Sequence, residues 1–108
     1  MIVVTPSAAV AGYRVARTFG LVHGNTIRAR HVGKDILAGL KNLVGGEIEE
    51  YTKMMAESRE QALDRMIADA EALGANAVLD VRFGTSYVMG SAAEILAWGN
   101  AVLLESDA

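Results

Sequence analysis

The most regular pattern in the chain is a long amphipathic segment. The stretch from Glu47 to Leu73 contains neither proline nor glycine. Its apolar residues recur at steps of three, four and seven positions, the spacing that places side chains on one face of a helix. They are Tyr51, Met55, Ala62, Met66, Ala70 and Leu73. The pattern predicts one helix, about 40 Å long at 1.5 Å per residue, which Gly74 ends.

Two segments after this helix have the pattern of strands. From Asn76 to Val88, apolar residues alternate with polar ones, which predicts a half-buried strand with Ala77, Leu79, Val81, Phe83 and Tyr87 on one face. The segment from Ala92 to Glu105 is apolar on both faces. A helix covers only one face of a sheet, so the second face of this strand needs another cover. We expect a second subunit to provide it.

The N-terminal half is predicted to be mostly β-structure. Ile2–Thr5 is a short apolar strand that ends at Pro6, and both Tyr13–His23 and Thr26–Val32 alternate. Gly24 and Asn25 have turn chemistry, so the pattern predicts a β-hairpin with the three-residue loop 24–26. A short helix is predicted to begin after Asp35 and to stop at Gly45-Gly46.

Composition narrows the class of protein. At 108 residues the chain has the size of one domain, predicted to span 1–108. Apolar residues make up 52% of it and aromatics only 6%, which favours an oligomer because a monomer would leave much apolar surface wet. The net charge of −3 argues against nucleic acid or an anionic membrane as partner. With no signal peptide and no long apolar run, we expect a cytoplasmic protein.

Four motifs resemble the YbjQ-like family of small bacterial proteins. They are the run NLVGGEIEEY at 42–51, Arg59, the run ALGANAV at 72–78 and the run WGNAV at 98–102. The resemblance implies an α/β (α+β) fold of two layers like the dodecin subunit, with an antiparallel sheet, one long helix and a short helix. It also implies assembly as a homopentameric ring. Trp98 and Asn100 depart from the family's usual tyrosine and threonine.

The family is labelled "putative heavy-metal-binding", which makes metal ligands a question for this chain. Soft metals select thiolate and thioether ligands, and the chain has no cysteine. In the predicted hairpin His23 and His31 lie about 13 Å apart, so one subunit does not bring both to one metal. A site would need symmetry-related copies or carboxylates; otherwise these histidines are surface or interface residues. The sequence therefore predicts no soft-metal site of the thiolate kind.

Arg59 is the most informative candidate for binding. Its helical neighbours are Met55, Ala62 and Leu63, so it projects from the apolar side of the predicted helix. A guanidinium placed there keeps its charge and needs an acceptor. The partner could be Glu47, Asp80, Glu94, a backbone carbonyl or a bound anionic ligand. An internal or intersubunit salt bridge is the favoured interpretation.

Glu47 and Tyr51 complete the set of candidate ligand-binding residues, because they fall within the matched motifs beside Arg59. Gly45-Gly46 before a helix N-terminus could hold an anion, but Glu47, Glu49 and Glu50 already complement the helix dipole there. Tyr51 is also suited to a core or interface position. No cofactor is indicated for any of these residues.

The sequence contains no arrangement typical of an enzyme: there is no Ser/His/Asp set, no paired-carboxylate spacing and no Walker-type loop. We therefore predict that the protein is not an enzyme. The leading hypothesis is a homo-oligomeric binding protein, a pentamer by resemblance, that takes a heavy metal or a small ligand where subunits meet. The alternative is a purely structural or scaffolding ring without ligand.

Overall fold

The structure, a computed structural model, describes residues 2–29, 49–87 and 92–108. These residues form the strands β1 (Val3–Val4), β2 (Tyr13–Ala29), β3 (Ala77–Tyr87) and β4 (Ala92–Ser106), together with the helix α1 (Glu49–Ala72). The strands make one sheet in the order β1-β3-β4-β2. The α+β prediction is confirmed, whereas the predicted short helix lies outside the described residues.

The sheet is antiparallel except at one edge. β4 is antiparallel to both β2 and β3, but β1 runs parallel to β3, with Val3 opposite Ala77 and Val4 opposite Val78. The wholly antiparallel sheet implied by the resemblance is therefore wrong at β1. The amide of Thr5 donates to the carbonyl of Val78, and the amide of Val81 donates to the carbonyl of Thr5, so these bonds hold the N-terminal segment along β3.

The predicted hairpin is wrong, because β2 continues through Gly24 as one strand of 17 residues paired with β4. Gly24 is buried and its side-chain position is taken by α1: a Cβ atom there would collide with the backbone of Ala62 and of Met66. Glycine at this position permits close approach of a helix, not a turn. Gly74, which follows α1, lies beside Phe19, which precedes Gly24 on β2. The helix therefore runs antiparallel to β2.

Bulges interrupt the alternation in two strands. The register of β2 with β4 shifts after Val15 and after Thr18, and that of β3 with β4 shifts between Leu79 and Arg82. Asp80 has a positive φ of 55° within the β3 bulge. The extra residue moves Leu79 and Val81 to opposite faces. The prediction that both share one face is therefore wrong.

The core lies between α1 and the sheet. The predicted helix face is confirmed for Ala62, Met66 and Ala70, which are fully buried. Leu73 is 47% exposed, because α1 ends at Ala72 and helical spacing no longer applies. The sheet residues of this cluster are Val22, Val78, Val81, Ile95, Ala97 and Ala101.

The sheet face away from α1 carries a second, smaller cluster. Its buried residues come from β3 and β4, and Val10 of the N-terminal segment packs against them: Ala77, Leu79, Val102 and Leu104. β4 is thus apolar on both faces, as predicted. The expectation that no part of this chain covers the second face is wrong at this end of the sheet, where the N-terminal segment crosses it.

The role of Gly24 leads to a test of the helix–sheet contact. Gly24→Ala inserts a methyl group into a space that the α1 backbone occupies, so we expect unfolding free energy to fall by about 1–3 kcal/mol in chemical denaturation. If Gly24 were a turn residue in an exposed hairpin, the added methyl group would meet no helix and the unfolding free energy would not fall for this reason.

Thr18→Ala is the control, because Thr18 is an exposed residue of the same strand outside the contact with α1. Its effect should stay within about 0.5 kcal/mol. Equal denaturation midpoints for Gly24→Ala and the parent protein would contradict the close contact.

Candidate functional site

On the sheet face opposite α1, the described residues leave an apolar surface uncovered. Leu21 is 71% exposed and Ile27 is 57% exposed on β2, and Leu96 and Trp98 lie half-buried on β4. The register places these side chains on one face, together with three polar ones. We call this set the outer surface; it comprises Leu21, His23, Asn25, Ile27, Glu94, Leu96 and Trp98. Val10 and the smaller cluster lie at the other end of the face.

The polar centre of the outer surface is the Glu94 carboxylate. The Ser86 hydroxyl of β3 donates to Oε1 of Glu94 at 3.1 Å, and the Asn25 amide of β2 donates to Oε2 at 3.3 Å. Both neighbouring strands therefore orient this carboxylate with neutral donors. Among the described residues, no Lys, Arg or His forms an ion pair with it.

A groove runs along the outer face of β3 and β4 beside this carboxylate. It has a volume of about 230 Å³ and is lined by Gly84, Thr85, Ser86, Glu94, Leu96 and Trp98. The Trp98 ring lies over Gly84, where an added Cβ would come within 3.1 Å of ring atom Cζ3. The missing side chain at position 84 thus lets the indole form one end of the groove.

A second uncovered region lies on the helix side of the sheet. α1 packs mainly on β2, less on β4 and only slightly on β3. Phe83 of β3 is level with Ala97 in the register and is 49% exposed. We call this region, with Phe83 and Arg59, the flank surface.

Arg59 is exposed on the flank of α1 that faces β4 and β3. Arg65 lies on the other flank, where its guanidinium donates to the carbonyl of Asn25 at 2.6 Å. Six positions separate Arg59 from Arg65, which is about 120° around a helix. The expected internal salt bridge of Arg59 is not found among the described residues. The buried face of α1 is narrower than predicted, and the Arg59 side chain lies outside it.

The remaining candidates are not brought together by the described residues. Glu47 and His31 lie outside them, as does Gly45-Gly46, and the side chain of Tyr51 is not described. The binding roles predicted for Glu47, Tyr51 and Arg59 stay predictions. Sequence reasoning named Glu94 only as a partner for Arg59 and missed the groove.

The donor set of the described residues does not fit a soft heavy metal. Among them, no three His, Asp or Glu side chains come together, and the chain has no cysteine. His23 lies opposite Trp98, four positions along β4 from Glu94, which is about 13 Å at the strand rise. The predicted absence of a thiolate-type metal site stays a prediction.

No helix among the described residues is both long and apolar enough for a membrane crossing.

Comparison with a known structure supports the architecture. A crystal structure of a protein of unknown function from Pediococcus pentosaceus, which belongs to the DUF74 family, matches with a TM-score of 0.68. The match covers 96% of this chain and 98% of that one at 15% sequence identity. At this identity the likeness concerns the fold alone.

Sequence relatives cover almost the whole chain. UPF0145 proteins are 56% identical in Dehalococcoides mccartyi, over 95% of this chain and 99% of the relative, and 59% identical in Archaeoglobus fulgidus, over 95% of each. One from Thermus thermophilus is 57% identical over 96% of this chain and 91% of the relative. Residues 1–105 match the YbjQ family, described as "Putative heavy-metal-binding". The chain therefore belongs to the YbjQ (UPF0145) family.

Proposed function

We propose that the protein is a non-enzymatic, homo-oligomeric binding protein whose ligand sits where subunits meet. The observation that carries this proposal is the uncovered outer surface, where Leu21 and Ile27 are more than half exposed beside Trp98. Contiguous apolar patches of this kind on soluble proteins mark contact surfaces. A second copy of the chain is the simplest cover for this one.

The positions of the two uncovered regions favour a ring. The outer surface and the flank surface lie on opposite faces of the sheet. A patch that contacts a different patch on the next copy makes a heterologous interface, which closes into a ring when the rotation between copies allows it. We propose five subunits for this ring, as the resemblance of the sequence motifs led us to expect.

Arg59 has a natural place in such an interface. Its charge is exposed on α1, and no anion among the described residues neutralises it. A neighbouring copy that covers this region would supply an acceptor for the guanidinium. Glu47 and Tyr51 belong to the same predicted set of ligand-binding residues.

The described side chains favour a small organic ligand over a soft metal. Carboxylate, amide, hydroxyl and indole groups line the outer surface, whereas soft metals bind preferentially to thiolates and thioethers. The family description names heavy metals, and this chain's lack of cysteine is the reason we place the small organic ligand first.

Leu21→Lys tests the assembly. The substitution places a charge in the proposed contact while leaving the fold intact, because Leu21 is 71% exposed in the single chain. Light scattering coupled to size-exclusion chromatography should give an oligomeric mass for the parent protein and mainly the mass of one chain for the variant.

Leu73→Lys is the control for Leu21→Lys, because Leu73 is an exposed leucine outside both surfaces. It should retain the oligomeric mass. A parent protein that elutes with the mass of one chain at micromolar concentration would contradict the proposal, as would a Leu21→Lys variant with unchanged mass.

Arg59→Ala tests the flank surface. If a neighbouring copy buries this guanidinium with its acceptor, the alanine variant should dissociate at a subunit concentration at least about tenfold higher than the parent. Arg59→Lys should restore only part of this difference, because an ammonium does not reproduce a bidentate fork.

Lys53→Ala is the matched control, since Lys53 is an exposed cation on the same helix. Its dissociation profile should equal that of the parent. An Arg59→Ala profile identical to both would show that Arg59 takes no part in assembly.

A further inference from the structure

The groove on the outer surface has chemistry that selects its ligand. One end is the Glu94 carboxylate, the middle is Leu96, and the other end is the Trp98 indole. These three side chains alternate along one face of β4, so the carboxylate and the indole are about 13 Å apart at their backbones. The groove therefore combines a fixed negative charge with an adjoining apolar surface.

The Glu94 carboxylate is prepared for a cation. Ser86 and Asn25 each donate one hydrogen bond to a different oxygen, which fixes the orientation of the group and leaves further acceptor positions free. Neutral donors do not cancel its charge. A cation that donates to this carboxylate would make charge-assisted bonds, which are about twice as strong as neutral ones.

The apolar end requires a ligand with a carbon body. Gly84 lets the indole approach β3 closely, because any side chain at this position would meet the ring. A bare metal ion would leave Leu96 and Trp98 without contact. An anionic ligand would be repelled by Glu94.

We propose that the groove binds a small organic cation, whose ammonium or amidinium group pairs with Glu94 and whose apolar body lies on Leu96 and Trp98. The inference deepens the proposed function, on which it rests for the location of the groove beside a subunit contact. The volume of about 230 Å³ suits a ligand of modest size, such as an alkyl or arylalkyl amine.

Trp98 is the single tryptophan of the chain, so its fluorescence reports on the groove directly. Titration of the intact oligomer with 2-phenylethylammonium should give a saturable change. A dissociation constant on the order of 1 mM is expected for a probe with about nine non-hydrogen atoms. The anion 3-phenylpropionate, with the same ring and a chain of similar length, should give no saturable change.

Glu94→Gln should weaken binding of 2-phenylethylammonium at least about tenfold, because it removes the charge while keeping the size of the side chain. Glu105→Gln is the control: Glu105 lies on the same strand, outside the groove, where it pairs with Arg14. Its affinity should equal that of the parent. Gly84→Ala supplies a second variant, since its methyl group displaces the indole and should also weaken binding.

Three results would overturn the inference: no saturable response to the amine, equal responses to the amine and to the anion, or undiminished affinity in both Glu94→Gln and Gly84→Ala. The mass of the unliganded protein separates this failure from that of the proposed function. If the protein is an oligomer that does not bind the amine, only the proposed ligand class is wrong. If it is a monomer that still binds the amine through Glu94, the proposed assembly is wrong and the groove remains the binding site.

Discussion

Strand β4 presents apolar side chains on both faces of the sheet, and each face requires its own cover. α1 covers one face, where Ile95, Ala97 and Ala101 pack against its buried stripe. On the other face the N-terminal segment reaches only the cluster of Val102 and Leu104. No other described residue covers the rest of that face. A helix of 24 residues lies on one side of a sheet only, so among the described elements the second face lacks a cover of its own.

Two glycines allow close packing on the helix side of the sheet. Gly24 lets the backbone of α1 lie directly against β2. Gly99 lies opposite the β3 bulge, where an added Cβ would meet the side chains of Val78 and Val81 and the carbonyl of Leu79. The bulge turns Val78 and Val81 to the helix side and leaves Leu79 on the other. Without it, the residues that follow on β3 would exchange faces, and the groove would lose Gly84 and Ser86.

The periodic parts of the sequence predicted the fold well. Helix α1 and the two-sided character of β4 follow from side-chain spacing, which local geometry controls. Gly24-Asn25 was misread because the same residues that favour a turn also permit close packing of a helix, and only the tertiary contact distinguishes the two. The phase of β3 was misread because one residue in the Asp80 bulge reverses the alternation.

The candidate site was harder to predict from the sequence, because it too depends on tertiary contacts and on the β3 bulge. Alternation along β4 already places Glu94, Leu96 and Trp98 on one face. Their neighbours Ser86 and Asn25 come from strands whose register depends on the β3 bulge and on the continuity of β2. Arg59 lies at the centre of the matched motifs, yet the structure shows it exposed, without the internal ion pair that the helix pattern favoured.

The central claim is that another copy of the chain covers the Leu21 and Ile27 part of the outer surface, beside the groove, and the accessibility of position 21 tests it most directly. The chain has no cysteine, so Leu21→Cys places a single thiol there, and its rate of reaction with a thiol reagent measures exposure in the native assembly. The account predicts slow labelling of the native protein, whereas Leu73→Cys, at an exposed leucine outside the contact, should label fast. Labelling of Leu21→Cys as fast as that of Leu73→Cys would contradict the account.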